Sequence, residues 1–232
     1  MKEVQGISRV TRPRPQARLV YDQISGLYDM VEGNWEGRAR LVGLTKLAVK
    51  PGEIVLEIGV GPGHDLVALA RATGTTGRAY GVDISPRMLA RSQTRLGEWG
   101  VSGHALLTCG DGLRLNFKSG CFDALYMSFT LELFDTPEIP QMLAECRRVL
   151  RPTGRIGIVA LSQAGPSTWR RRLYSWGHDH FPLYLDCRPI FVQQALEAAS
   201  FRSPAVTRLS LWGLPVEVVV AKKTRLGPPL VS

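Results

Sequence analysis

The sequence predicts an α/β fold in which a mostly parallel sheet carries helices on both faces. Three observations lead there. Short apolar runs alternate with segments of helical periodicity, in the order β-α-β-α-β-β-α-β with short turns between them. Strands joined through helices pair in parallel and need cover on both faces. The first run, Val55-Leu56-Glu57-Ile58, ends in glycines at alternate positions, Gly59, Gly61 and Gly63, and a helical pattern follows at once. Glycine there permits positive φ and lets a ligand approach the main chain, so the turn predicts a nucleotide-like pocket at the carboxyl end of a parallel strand. Near the C-terminus, runs at 205–211 and 215–221 are separated only by Trp212-Gly213-Leu214, which predicts an antiparallel hairpin.

The elements follow in order. Residues 36–49 read as a helix with Leu41, Leu44 and Leu47/Ala48 on its apolar side, stopped by Lys50-Pro51-Gly52. The first strand is 54–58. The helix after the glycines, 64–72, offers Leu66, Leu69 and Ala70 to a sheet. A second strand, 79–82, ends on Asp83. Ser85-Pro86 reads as an N-cap followed by proline at the first helical position, and that helix turns Met88, Leu89, Ser92 and Leu96 inward. A third strand, 105–108, ends at Gly110-Asp111-Gly112, and a fourth, 122–129, ends at Thr130. A helix over 138–150 buries Ile139, Met142, Cys146 and Val149; Pro137 and Pro140 blur its start. Arg151-Pro152-Thr153-Gly154 breaks it, and 155–161 reads as a fifth strand. Residues 162–188 are irregular, basic and aromatic, and a helix over 190–199 precedes the hairpin.

At 232 residues, with 44% hydrophobic and 21% charged residues, the chain fits one packed domain. Residues 1–20 read as a basic flexible leader, 21–222 as the domain with an insert near 162–188, and 223–232 as a flexible tail. No apolar run reaches the roughly 20 residues of a membrane helix, and no secretory signal is legible, so a cytoplasmic protein is expected. Cys109, Cys121, Cys146 and Cys187 are scattered without a Cys-x-x-Cys pair and read as reduced, buried thiols. The formal charge of +9 favours acidic partners: nucleic acid, anionic lipid or an acidic substrate. Arg87, Arg91 and Arg95 form one stripe on a helix, read as a solvated face.

The glycine turn has the spacing Gly-x-Gly-x-Gly, one residue tighter than the dinucleotide pattern. Asp83 supplies the acid that such sites place on a ribose, where a carboxylate accepts from both hydroxyls; the structural alternative is a turn or capping aspartate. Asp111 repeats the logic one strand on. It suits an adenine amine, and an Asx turn at Asp111-Gly112 is the equal alternative. Met88 suits the adenine face or simply the core.

Five motifs then occur in register: Glu57-Ile58-Gly59-x-Gly61-x-Gly63, Gly81-Val82-Asp83-Ile84-Ser85, Cys109-Gly110-Asp111, Phe122-Asp123-Ala124-Leu125 and Arg148-Val149-Leu150-Arg151-Pro152-x-Gly154-Arg155. Together they resemble the class I S-adenosylmethionine-dependent methyltransferases over residues 20–222. They are most similar to the subgroup of ubiquinone and menaquinone biosynthesis C-methyltransferases, as is the pair Tyr21-Asp22 and Tyr28-Asp29. The resemblance implies a seven-stranded, mostly parallel Rossmann-like sheet with an antiparallel C-terminal strand, and S-adenosyl-L-methionine as cofactor. It implies that Glu57, Gly59, Gly61 and Gly63 border the methionine part. Asp83 would hold the ribose with Ile84 beside the adenine, and Asp111 and Gly112 would meet the adenine edge. Phe129 and Thr130 would lie near the sulfonium, and Tyr28 would close over the methionine end. Thr153 and Ser200 depart from the family's usual glycines at those places.

The implied reaction is an in-line displacement to a small, hydrophobic or amphiphilic acceptor, such as a quinone precursor or a lipid amine. It needs orientation, an apolar wall, for which Phe129 is suited, and a base where carbon or nitrogen is methylated. His178, His180 and Tyr174 (with Tyr184) are the candidate bases, set against exposed loop residues. Two histidines without a nearby cysteine make a thin zinc set, and no metal is expected. The segment Trp169-Arg170-Arg171-Arg172-Leu173-Tyr174-Ser175-Trp176 suits peripheral contact with an anionic membrane or a lid over a soluble substrate. The rival readings are a nicotinamide-dependent oxidoreductase, disfavoured by the glycine spacing, and a nucleic-acid methyltransferase. The latter is disfavoured because Phe129-Thr130-Leu131-Glu132 lacks the Asn/Asp-Pro-Pro-aromatic signature.

Overall fold

A computed structural model describes residues 36–164, 188–211 and 213–224. Its elements are α1 (Gly37–Leu47), β1 (Ile54–Ile58), α2 (His64–Thr73), β2 (Arg78–Asp83), α3 (Pro86–Glu98), β3 (Ala105–Cys109), β4 (Phe122–Ser128), α4 (Ile139–Val149), β5 (Leu150–Leu161), α5 (Val192–Ala198), β6 (Phe201–Leu211) and β7 (Leu214–Lys223). The strands form one seven-stranded sheet in the order β3-β2-β1-β4-β5-β7-β6. β1 to β5 pair in parallel, and β7 runs antiparallel between β5 and β6. The chain winds outward from β1 in both directions, so β1 and β4 flank the switch point where a crevice opens at the strands' carboxyl ends.

Each face of the sheet carries its own core. Leu47, Leu66, Leu69 and Leu96 of α1, α2 and α3 cover one face. Met142, Leu143, Cys146 and Val149 of α4, with Val192 and Leu196 of α5, cover the other. On that second face Tyr80, Phe117 and Phe122 meet edge to face, with centroids 5.0 to 5.8 Å apart, the arrangement that ring quadrupoles favour.

The local chemistry explains most boundaries. The Ser85 side chain accepts from Met88 N at 3.1 Å and Pro86 follows it, so the predicted cap of α3 is present. In α4, Pro140 falls at the second helical position, where no intrahelical N–H is required, and so both prolines are tolerated.

Four expectations need correction. The buried stripe of α1 is Ala39, Gly43 and Leu47, while Leu41 is 64% exposed. The cause is close approach: a Cβ on Gly43 would lie 2.5 Å from Val159 Cγ2 and 2.6 Å from the Tyr126 hydroxyl. β5 starts at Leu150 rather than 155, because Phe122 pairs Leu150 and then Ala124 pairs Arg155, leaving 151–154 as an irregularity within the strand. α5 is shorter than the 190–199 pattern, since Ile190 is drawn into a parallel bridge with Ser162. Of the cysteines, Cys146 is buried but Cys121 is half-buried and Cys109 exposed; Cys187 lies outside the described residues.

The basic residues of the last sequence motif act as fasteners. Arg155 donates to the carbonyls of Leu47 (2.6 Å) and Ala48 (2.8 Å), closing the C-terminus of α1, and pairs with both Glu53 carboxylate oxygens. Arg148 pairs with Glu145 and donates to the Leu115 and Phe117 carbonyls. Arg151 pairs with Asp123, whose other oxygen accepts from Ile54 N.

Candidate active site

β1 ends in a turn whose glycines all take positive φ: +74° at Gly59, +50° at Gly61 and +89° at Gly63. The turn's backbone is almost fully engaged. Gly59 N and Val60 N donate to the Val82 carbonyl, and Gly63 N donates to the Val60 carbonyl. Gly61 N donates to Asp83 Oδ2 at 2.9 Å, and the Pro62 carbonyl accepts from Arg95. Arg95 is thus a loop fastener, which corrects its reading as part of a solvated stripe.

The three glycines differ in what surrounds them. A Cβ on Gly59 would lie 2.4 Å from Thr130 Oγ1, and one on Gly63 would lie 2.2 Å from Ser92 Oγ and 2.9 Å from its Cα. A Cβ on Gly61 would meet nothing within 4 Å. Gly59 and Gly63 therefore let protein approach protein, while Gly61 leaves room in an open crevice. Glu57, Gly59, Gly61, Asp83, Ile84, Met88, Asp111, Gly112, Phe129 and Thr130, all singled out from sequence, line that crevice. Gly63 lies behind it, against Ser92. Tyr28, Tyr174, His178, His180 and Tyr184 lie outside the described residues.

The two aspartates resolve differently. Asp83 Oδ2 accepts from Gly61 N and Oδ1 from Ser85 N, both at 2.9 Å, so it clasps the glycine turn to the start of α3. The residue also lines the crevice, where a carboxylate can accept from a ligand hydroxyl. Asp111 Oδ1 accepts from Leu113 N at 2.9 Å, which makes the Asx turn real while the residue still faces the crevice. Gly112 is held close by Met142 and Phe134. Met88, 2% exposed, is both core and crevice wall.

Phe129 is the strained residue of the site. It holds φ at +49°, and its N–H donates to the Val159 carbonyl at 2.8 Å. An aromatic residue in the left-handed region costs about 1–3 kcal/mol, strain that collects where function demands it. Thr130 follows, its hydroxyl donating to the Ser128 carbonyl.

The crevice also has an acidic floor that sequence reasoning missed. Glu36, Arg40 and Asp65 join Glu57 there. Arg40 lies 3.8 Å from Asp65 and 3.8 Å from Glu36. Burial raises the Asp65 carboxyl to about 6, with Arg40 and the Ser128 hydroxyl pulling the other way. Burial also pushes the Tyr126 phenol well above its usual range, and the charges of Asp65 and Glu57 add to that. The signal for Asp65 was present: it stands one turn before Leu69 on the buried side of α2. Arg40 and Glu36 carried none, because a charged residue near a helix start normally faces water.

The fold and crevice agree with the comparisons. Residues 55–154 match a family model described as a methyltransferase domain. A demethylmenaquinone methyltransferase of Lactobacillus johnsonii is 25% identical over 224 residues, covering 88% of this chain and 89% of the relative. A 2-phytyl-1,4-naphtoquinone methyltransferase of Trichormus variabilis is 27% identical over 213 residues, covering 88% of each. The chain is similar to the class I S-adenosylmethionine-dependent methyltransferases. The methyltransferase is similar to the quinone-modifying subgroup, and S-adenosylmethionine is its methyl donor. Among solved structures, the [4+2]-cyclase SpnF superposes with a TM-score of 0.73 at 17% identity, covering 94% of this chain and 99% of that one. That likeness shows the fold alone.

The residues present fit the donor. The open space above Gly61 is a cradle that any side chain there would fill. The acidic floor complements a ligand carrying an ammonium and a sulfonium, and Val82, Ile84, Met88, Leu133 and Phe134 supply apolar wall. Among the described residues no group of three or more His, Cys, Asp or Glu is placed to hold a metal ion.

Proposed function

We propose that this methyltransferase moves the methyl group of S-adenosylmethionine to a hydrophobic, quinol-type small molecule. The observation that carries the donor placement is the bare face of Gly61, open to the crevice beside the Asp83 carboxylate. In this reading the methionine end lies over the Gly59–Gly63 turn with Glu57 and the acidic floor beneath its positive charge. The ribose hydroxyls meet Asp83. The adenine lies between Ile84 and Met88, with its edge toward Asp111 and Gly112. Phe129 and Thr130 face the transferring methyl.

The bound donor supplies an already activated methyl group. The chain supplies position and dryness. Asp83 holds the turn and the sugar at once, which fixes the donor's long axis. The Phe129 ring, held by its strained backbone and the bond to Val159, walls the transfer path and excludes water. Leu133 and Phe134 extend that apolar wall toward the acceptor. An aromatic carbon acceptor must shed a proton; His178, His180 and Tyr174 remain the candidates for receiving it.

The quinol class is supported by the two relatives, whose names specify demethylmenaquinone and 2-phytyl-1,4-naphtoquinone. The apolar acceptor side of the crevice agrees. Access from an anionic membrane is the accompanying proposal, supported by the basic and aromatic composition of residues 169–176. No described helix is long and apolar enough to cross a membrane.

Calorimetry with S-adenosylmethionine and with NAD tests the donor: binding of the first alone is expected. Asp83→Ala should weaken that binding by about 1–3 kcal/mol, the loss of a charge-assisted hydrogen bond. Full affinity in the variant excludes the ribose role. For the acceptor, mass spectrometry should show demethylated naphthoquinols gaining one methylene unit on incubation with enzyme and donor. Products from RNA instead would replace the quinol reading. Flotation with anionic liposomes should carry the protein upward; recovery at the bottom of the gradient removes the membrane proposal.

A further inference from the structure

Asp65 is a buried acid with a specific neighbourhood. It stands in the first turn of α2, immediately after the glycine turn, and is 6% exposed. It lines the donor crevice. The charged and titratable groups beside it come from four elements: Glu36 at the N-cap of α1 and Arg40 within α1, His64 next to it at the start of α2, Glu57 from β1, and Tyr126, with the Ser128 hydroxyl, from β4. Its pair with Arg40 is loose, 3.8 Å from Nε to the carboxylate. Arg40 is meanwhile fixed from behind. The Tyr126 hydroxyl donates to the Arg40 carbonyl at 3.1 Å, and Gly43 seats α1 directly on Tyr126 and Val159.

The loose pair joins two helices, α1, seated on β4, and the first turn of α2, so the carboxyl's charge state decides how strongly Arg40 is drawn. Ionised, Asp65 draws the Arg40 guanidinium across the crevice floor. Protonated, it no longer does. Burial makes the ionised form of Asp65 costly, and a cation arriving above the floor reverses that balance.

We propose that Asp65 is a proton-releasing positioning residue of the donor site: entry of the cationic methionine end strips its proton, and the carboxylate so formed orients Arg40. The inference rests on the donor reading above. The direction of the effect follows from the free state. Burial holds the free carboxyl up at about 6, and the bound state lowers it. Affinity for the donor is therefore full above that pH and declines as pH falls through it.

The experiment is calorimetric titration of the full chain with S-adenosylmethionine at pH 6, in two buffers of different ionisation enthalpy. The heat difference counts protons. About half a proton should leave per donor bound at pH 6, and about a tenth at pH 7. Between pH 7.5 and 5 the wild-type affinity should fall about tenfold, whereas Asp65→Asn should bind with little pH dependence and release no proton. Asp65→Glu, which restores an acid, should recover proton release. Donor binding without proton release in the wild type overturns the proposal and leaves the donor reading standing. Equal proton release from Asp65→Asn overturns it too, by placing the proton elsewhere. Failure of the wild type to bind the donor at any pH overturns both.

Discussion

Two glycines two residues apart carry opposite consequences. At Gly61 an added Cβ meets no protein atom, so Gly61→Ala costs only the positive-φ penalty of about 1 kcal/mol in stability. The same methyl projects into the space over the turn where the donor would lie, and donor affinity should fall at least tenfold, read by calorimetry. At Gly63 the Cβ strikes the Ser92 backbone at 2.9 Å, so Gly63→Ala should lower the melting temperature far more than Gly61→Ala. A Gly61→Ala protein that binds as tightly as wild type would show the turn to be merely structural. Asp65 offers the complementary test. Its carboxyl is raised in the folded state relative to an unfolded aspartate at about 3.9. The folded state therefore holds the proton more tightly, and free-protein stability declines as pH rises from about 4 to 6. Chemical denaturation should find Asp65→Asn without that decline, and more stable than wild type at pH 7.

At the scale of elements, α1 is held on the sheet by contacts distant in sequence. Gly43 gives it close approach to Tyr126 and Val159, and Arg155 closes its last turn while pairing with Glu53. Burial alone would raise Glu53, but the hydrogen bonds from Arg155 and the Lys50 amide outweigh it and hold the carboxyl below its usual range. That stabilisation is present above about pH 4.5 and is lost as pH falls through the lowered value. Both partners are under one-fifth exposed, so Arg155→Ala should cost about 2–3 kcal/mol, measured by urea denaturation at pH 7. Stability unchanged within 0.5 kcal/mol would assign the fastening of α1 to packing alone. Since α1 brings Glu36 and Arg40 to the crevice, the same variant should also weaken donor binding.

For the whole molecule, the sheet order places the ends of β1, β2 and β4 around one crevice, and that is where the sequence motifs converge. Donor present at about 100 times its Kd should add about 2.7 kcal/mol of stability, visible as a rise of several degrees in melting temperature. NAD at the same concentration should give none; a NAD shift would reopen the oxidoreductase reading. The likeness to a [4+2]-cyclase in fold is a reminder that a sheet of this order positions a site without choosing its chemistry. The sequence by itself determined the strand order of events: the glycine turn, the acid one strand later, the Ser85-Pro86 cap and the closing hairpin. These are written in local spacing, and spacing survives without knowledge of what packs against what. Only the tertiary structure decided the roles of Arg40, Asp65, Arg95 and Arg155, the buried side of α1, and which glycine leaves room for a ligand. Those depend on pairs of residues brought together from distant segments, where burial and charge act through space; periodicity puts Asp65 on the buried side of α2 but not beside Arg40.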